Sequence, residues 1–375
     1  MKNKNYISSL TSLRGIAALL VIFFHIDLIC FRLADPEAHF FIRKGYLWVD
    51  FFFILSGFIM VHVYGKYFSK KLSFNNFKEF IKARFARIYP LHLFAFLCMI
   101  LLFLWYRTNN EINVINVHIF SLKAIPTNLL LLQSMGFHDY LNWNTPSWSI
   151  STEWWVYTIF PVLMSLYSNF IIKNKTLTFL GIIAGYLFIF FYLHPVSNAS
   201  SPFPSVNGIY SLDVTYDYGF LRCLLGFSFG MLVYELYKTA WLKAALENTK
   251  ILLILTFLTL VLLSFDAADL FAVVLFALIL LACAFNEGSG KSFLNSRPLL
   301  FLGNISYSLY LMQMLVIFFV IILARTYSFM MPGRNASWIV LWSYCLLYVL
   351  AIILVSKFTY SFIEVPFRKK LNRKK

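Results

Sequence analysis

Apolar residues dominate this chain in long runs separated by short polar stretches. The pattern predicts ten helices, over 13–31, 46–64, 88–106, 150–172, 176–194, 219–237, 251–265, 270–285, 299–324 and 337–363. A helix of roughly 20 apolar residues matches the hydrocarbon thickness of a bilayer. The seventh and eighth runs are short, and one re-entrant pair there would reduce the count to eight. The first 12 residues are polar, and the apolar run behind them has no small-residue cleavage site, so it reads as a retained helix. Three connections are long. Residues 65–87 interleave cations with Phe68, Phe74, Phe77 and Phe80, a pattern that suits a helix lying in the membrane interface. The connections 107–149 and 195–218 are polar and aromatic, as lids or substrate sites often are. No internal repeat of the kind common in transporters is evident.

Composition strengthens this reading. The chain is 60% hydrophobic and 13% charged, with mean hydropathy +0.74, against about 45–50% apolar and about 25% charged in soluble domains. The whole of 1–375 therefore reads as a single all-α transmembrane domain without an appended soluble catalytic unit. The net charge of +16 reflects helix flanks and not a nucleic-acid partner. With the N-terminus in the cytoplasm, 22 of the 32 Lys and Arg fall in cytoplasmic segments and seven in outer ones. This bias predicts that both termini are cytoplasmic. Cys30, Cys98, Cys223, Cys283 and Cys345 lie in or beside apolar runs with no close spacing, and read as packing residues, neither disulfides nor metal ligands.

Ionisable residues inside spans are costly, and therefore informative. Arg14 and His25 are eleven residues apart in the first helix, which puts them on one face about 16 Å apart along the axis. Arg14 is either a snorkelling anchor at the cytoplasmic interface or a ligand-binding cation. His25, near mid-membrane, is either a satisfied packing histidine or a general base. Asp50, at the outer end of the second helix, is either interfacial or the partner that orients His25. Ser56 and Gly57 allow close helix approach. In Pro146–Trp155, Ser149 is a candidate N-cap. Glu153 is either a first-turn acid or a sugar-binding carboxylate among tryptophans. Arg84 and Arg87 share a face and form either a phosphate clamp or a plain positive-inside signal. Arg222 is a costly cation with no obvious local partner, and Glu364 and Arg368 suit an i,i+4 pair. Gly290-Lys291-Ser292 has Phe285 where a P-loop needs its first glycine, and neither a Gly-x-Ser-x-Gly elbow nor zinc spacing occurs.

Taken in order, several segments resemble the acyltransferase-3 family of membrane O-acyltransferases. They are Arg14-x10-His25, Asp50–Phe58, Arg84-x2-Arg87-Ile-Tyr-Pro90, Trp148-Ser149-Ile-Ser-x-Glu153, Gly303-x2-Ser306-Tyr307-Ser-Leu-Tyr310 and Glu364-x-Pro366-x-Arg368. One departure is Gln313, where many members have histidine, which removes proton transfer from that position. The resemblance implies about ten helices in a stand-alone form without a fused esterase-like domain. It also implies an acyl-CoA donor, usually acetyl-CoA, at the cytoplasmic face, and an acceptor hydroxyl on an extracytoplasmic glycan such as a lipopolysaccharide O-antigen, although some members act on small molecules. On this view Arg14, Arg84 and Arg87 hold the donor. His25, oriented by Asp50, deprotonates the acceptor or carries the acetyl group. Glu153, Trp148, Ser149, Tyr307 and Arg222 serve the site as catalytic or substrate-binding residues. No metal is expected, and the setting is the bacterial inner membrane. A transporter using the same ionisable residues as a proton or substrate path is the rival reading.

Overall fold

The computed structural model describes residues 6–33, 40–68, 73–109, 119–200, 210–265, 269–333 and 336–372. Among these residues every regular element is helical. The principal helices are α1 (Ser8–Ile29), α2 (Trp48–Phe68), α3 (Phe74–Asn109), α4 (Ser147–Leu166), α5 (Lys175–Phe188), α6 (Gly219–Thr239), α7 (Thr249–Leu262), α8 (Asp269–Phe285), α9 (Ser306–Thr326) and α10 (Trp338–Thr359). Among the described residues, seven helices are long and apolar enough to cross a membrane. The apolar helices α7 and α8 are shorter, at 14 and 17 residues. α4 has 20 residues but breaks its apolar run with Ser, Thr and Glu153. Large apolar side chains face outward, among them Leu253, Ile254 and Phe257 on α7 and Leu346, Leu350 and Leu354 on α10. Such a surface needs lipid against it, so the chain is an integral membrane protein.

Lipid tails are as apolar as leucine, so helices in a bilayer associate through close packing and polar contacts. α2 and α6 show this most clearly. A Cβ on Gly57 would collide with the Phe227 carbonyl, and one on Gly230 with the Ile54 carbonyl. The two backbones therefore touch, as Gly57 in the sequence suggests. α1 meets the short helix Arg297–Asn304 in the same way, Gly15 against Gly303 and Gly303 against Thr11.

Three elements differ from expectation. The 65–87 connection does not form a separate interfacial helix: from Phe74 it continues into the third span as one 36-residue helix that tolerates Pro90. Phe80 is what draws it inward, packed against Phe68, Tyr64 and Phe160. Residues 69–72 of that connection lie outside the described residues. The expected helix 299–324 is broken at Ile305, where the Gly303 carbonyl accepts the Ser306 hydroxyl at 2.8 Å. The last span runs beyond α10 through a wide turn, Tyr360–Glu364, into Val365–Asn372. Wide turns re-aim side chains, and this one carries Glu364, which is buried.

Candidate active site

Among the described residues, two cavities in the bundle hold candidate residues in their walls. One is lined by Arg14 from α1, Ser56 and Met60 from α2, Arg84, Arg87 and Ile88 from α3, Ser149, Glu153 and Tyr157 from α4, and Ser306, Tyr307 and Tyr310 at the start of α9. Its volume is about 150 Å3. Three guanidinium groups from two helices thus converge there. Arg84 donates to the Tyr64 hydroxyl at 2.8 Å and lies over the Tyr64 ring, while its Nε is buried with no protein partner. Arg87 is ion-paired with Glu364 and lies over the Tyr307 ring. Arg14 reaches the Gly303 carbonyl only at 3.5 Å. Glu153 accepts the Tyr157 hydroxyl at 2.5 Å, and that hydroxyl is 2.7 Å from Ser56. The Tyr307 hydroxyl donates to the Ile88 carbonyl at 2.6 Å, two residues before Pro90.

The second cavity, of about 330 Å3, lies at the opposite end of α1. His25, Tyr46, Tyr140, Trp148, Asp213 and Tyr216 are among its lining residues. His25 Nδ1 is 2.9 Å from the Val21 carbonyl. A carbonyl only accepts, so Nδ1 carries the proton and Nε2 is the basic nitrogen. The two connections 107–149 and 195–218 supply part of the wall. The first is folded into the bundle, with Asn144 donating to the Leu311 carbonyl at 3.0 Å and Gln133 to Ser147. Of these connections, residues 110–118 and 201–209 lie outside the described residues.

Several expected roles change. Asp50 does not orient His25. It is fully buried and pairs with Arg222, at 2.6 Å from Nη2 and 3.1 and 3.2 Å from Nε. A buried carboxylate takes the nearest cation, and the α2–α6 contact brings that cation to it. The same pair gives Arg222 its partner. Arg222 also donates to the carbonyls of Tyr46 and Val214, and it lines neither cavity. The hydrogen-bond partner of His25 is the Val21 carbonyl, not a carboxylate. Glu153 faces the arginine-lined cavity, not the aromatic outer loop, because α4 packs against both α2 and α3, whose side chains line that cavity. Ser149 is not an N-cap. Backbone carbonyls of Asn144 and Thr145 take the first amides of α4, and the Ser149 hydroxyl meets Tyr310 at 2.8 Å. Glu364 takes Arg87 as its closer partner, with Arg368 at 4.0 Å. Arg14 and His25 line different cavities, as their axial separation implies, and Trp148 faces His25's cavity while Ser149 and Tyr307 face the arginines'.

Sequence reasoning missed Tyr157 and the cluster in which buried Lys44 and Tyr46 hold Asp269 at 2.7 and 2.5 Å. Asp269 also accepts the Leu212 amide at 2.9 Å. The available signal was an acid opening a strongly apolar run. Lys44 looked like one more loop cation.

Helices that enclose an arginine-lined cavity and a histidine-bearing one within a lipid-facing shell define a polytopic membrane protein whose interior holds ionisable side chains in two chambers. Residues 7–357 match the acyltransferase domain that defines the acyltransferase-3 family, and the chain belongs to that family. The matched domain is an acyltransferase domain, which weighs against the transporter reading. The chain is 26% identical over 391 aligned positions to the O-acetyltransferase OatA of Staphylococcus aureus, an alignment covering 99% of this chain and 58% of OatA. It therefore spans little more than half the length of that relative. It is 28% identical over 331 positions to the acyltransferase MdmB of Streptomyces mycarofaciens, covering 82% of this chain and 78% of MdmB. Protein 2 of the picA locus of Rhizobium radiobacter is 33% identical over 154 positions, 38% of this chain and 75% of that protein. No solved structure matches.

Proposed function

We propose that this chain is an O-acetyltransferase of the bacterial inner membrane, with ten spans and both termini in the cytoplasm. It takes acetyl from acetyl-CoA at the cytoplasmic face and passes it to a hydroxyl of an extracytoplasmic glycan, such as a lipopolysaccharide O-antigen or another surface polysaccharide. The observation that carries this reading is the convergence of Arg14, Arg84 and Arg87 on one cavity, with His25 in a second cavity that shares a wall with it. The phosphates of CoA suit the first cavity. Its cations outnumber Glu153, the carboxylate in its lining, and the buried Arg84 Nε is a donor awaiting an acceptor. The excess of Lys and Arg in the segments on that side supports a cytoplasmic entrance. The second cavity is about twice as large. Its aromatic faces and its Asn198 and Asp213 side chains suit a ring with apolar faces and a hydroxyl edge. The name of OatA supports acetyl as the group moved.

In the reaction, the acceptor oxygen attacks the thioester carbonyl. The new C–O bond forms, the C–S bond breaks, the hydroxyl proton passes to His25 Nε2, and CoA departs as the thiol once that proton is returned to sulfur. A positioned base contributes about 10²–10⁴-fold. In purified protein His25→Ala is expected to lose acetyl transfer by about that factor while binding acetyl-CoA as the wild type does. Comparing surface-glycan mass between wild type and a deletion strain identifies the acceptor. Near-normal acetylation by His25→Ala would move the chemistry to Glu153 and Tyr157.

A further inference from the structure

Among the described residues, one side chain is common to the linings of both cavities, that of Tyr310. Its surroundings differ on the two sides. Toward the arginines its hydroxyl is 2.8 Å from Ser149 Oγ, and its ring meets Phe52 edge-on at 5.9 Å. Ser149 and Phe52 line only the arginine cavity, whereas Trp148, the residue before Ser149, lines only the histidine cavity. The boundary between the chambers therefore passes between two consecutive residues in the first turn of α4, and Tyr310 bridges it from α9. Tyr310 is 5% exposed. Its backbone carbonyl accepts the side-chain amide of Gln313 at 2.9 Å. The side chain turns about two bonds, and both its packing on Phe52 and the hydroxyl contact with Ser149 hold it in place.

We propose, resting on the donor and acceptor chambers assigned above, that Tyr310 is the specificity-determining septum between them: tied to Ser149, it admits a short acyl group toward His25 and excludes longer ones. Reacting atoms must come within about 3–3.5 Å of each other. A thioester anchored by its phosphates among Arg14, Arg84 and Arg87 and an acceptor beside His25 meet only where the chambers adjoin. The phenol ring occupies that junction. An acetyl group ends one methyl beyond its carbonyl, so a small displacement of the ring exposes the carbonyl carbon. Each further methylene must be placed in the space that the ring and Phe52 fill. The same ring keeps water in the outer chamber away from the thioester when no acceptor is present.

The test uses the full-length protein in lipid nanodiscs with acetyl-CoA and butyryl-CoA, measuring CoA release with and without acceptor. Tyr310→Ala should raise the ratio of butyryl to acetyl transfer by about tenfold or more, the scale on which a pocket discriminates chain length. Tyr310→Phe preserves the ring and removes the bond to Ser149. It should raise CoA release without acceptor, and Ser149→Ala should do the same. A parallel fall of both transfer rates in Tyr310→Ala, with their ratio and the acceptor-free release unchanged in all three variants, would make Tyr310 a packing residue. If Tyr310→Ala does not fold, the release measured in Tyr310→Phe and Ser149→Ala decides alone. Absence of acetyl transfer in the wild type would instead overturn the two-chamber reading on which the septum depends.

Discussion

A carboxylate buried without its counter-ion costs about 3–5 kcal/mol, which is why Asp50 and Arg222 are best understood together. Both are completely buried, and three nitrogen–oxygen contacts of 2.6 to 3.2 Å join them. Asp50→Asn removes the close counter-ion and leaves the guanidinium only the longer contact to Asp213 at 3.5 Å. It should lower the melting temperature in detergent by several degrees, and adding Arg222→Met should restore part of the loss. A variant with unchanged melting and lost acetylation would return Asp50 to the chemistry. The arginines of the first cavity divide on the same principle. Arg87 is paired with the buried Glu364, so Arg87→Ala should weaken both folding and donor binding. Among the described residues, Arg84 donates to a tyrosine hydroxyl and a methionine sulfur and pairs with no carboxylate. Arg84→Gln should therefore reduce acetyl-CoA affinity by roughly tenfold to a hundredfold, the range of about 1.5–3 kcal/mol for a hydrogen bond to a charged group, with melting unchanged. Isothermal titration beside thermal unfolding separates the two effects, and equal behaviour of both variants would contradict the assignment.

At the scale of elements, the α2–α6 contact governs the centre of the molecule. Gly57 and Gly230 let the two backbones touch, and Asp50 and Arg222 lie two turns away on the same two helices. Close packing at one point thus sets the register of the ion pair at the other. Overpacking costs about 1–3 kcal/mol, so Gly230→Leu should destabilise the protein by at least that much and remove most of the coupling between Asp50 and Arg222 in a double-mutant cycle. An undiminished coupling would show that the pair forms independently of the glycine contact. α4 works differently: its first turn joins the two chambers, because Trp148 and Ser149 point to opposite sides of one septum.

For the whole molecule, the distribution of cations predicts which side faces the cytoplasm. In a variant lacking the native cysteines, Lys173→Cys should be protected from an impermeant maleimide in intact cells and Lys123→Cys should react; both lysines are exposed. The reverse pattern would invert the topology and put the arginine cavity outside, away from CoA. Each connection between spans would then have to be reassigned.

Much of the helix content was legible in the sequence because lipid imposes one rule on every span: a run of apolar residues long enough to cross, with backbone hydrogen bonds satisfied internally. Hydropathy therefore located the helical segments to within a few residues, apart from the joined 74–109 segment and the break at Ile305. The candidate residues were legible because ionisable groups are rare in such runs, and Arg14, His25, Asp50, Arg84, Arg87, Glu153 and Arg222 stood out for that reason. Their partners were not legible. Whether Asp50 meets His25 or Arg222 depends on which helices touch, and that is decided by small residues such as Gly57 and Gly230, whose periodicity matches ordinary packing. The division of the interior into two chambers, and the position of Tyr310 between them, likewise came only from the tertiary structure. Side chains from α1, α2, α3, α4 and α9 build it together, and a linear pattern carries no information about how helices far apart in sequence face one another.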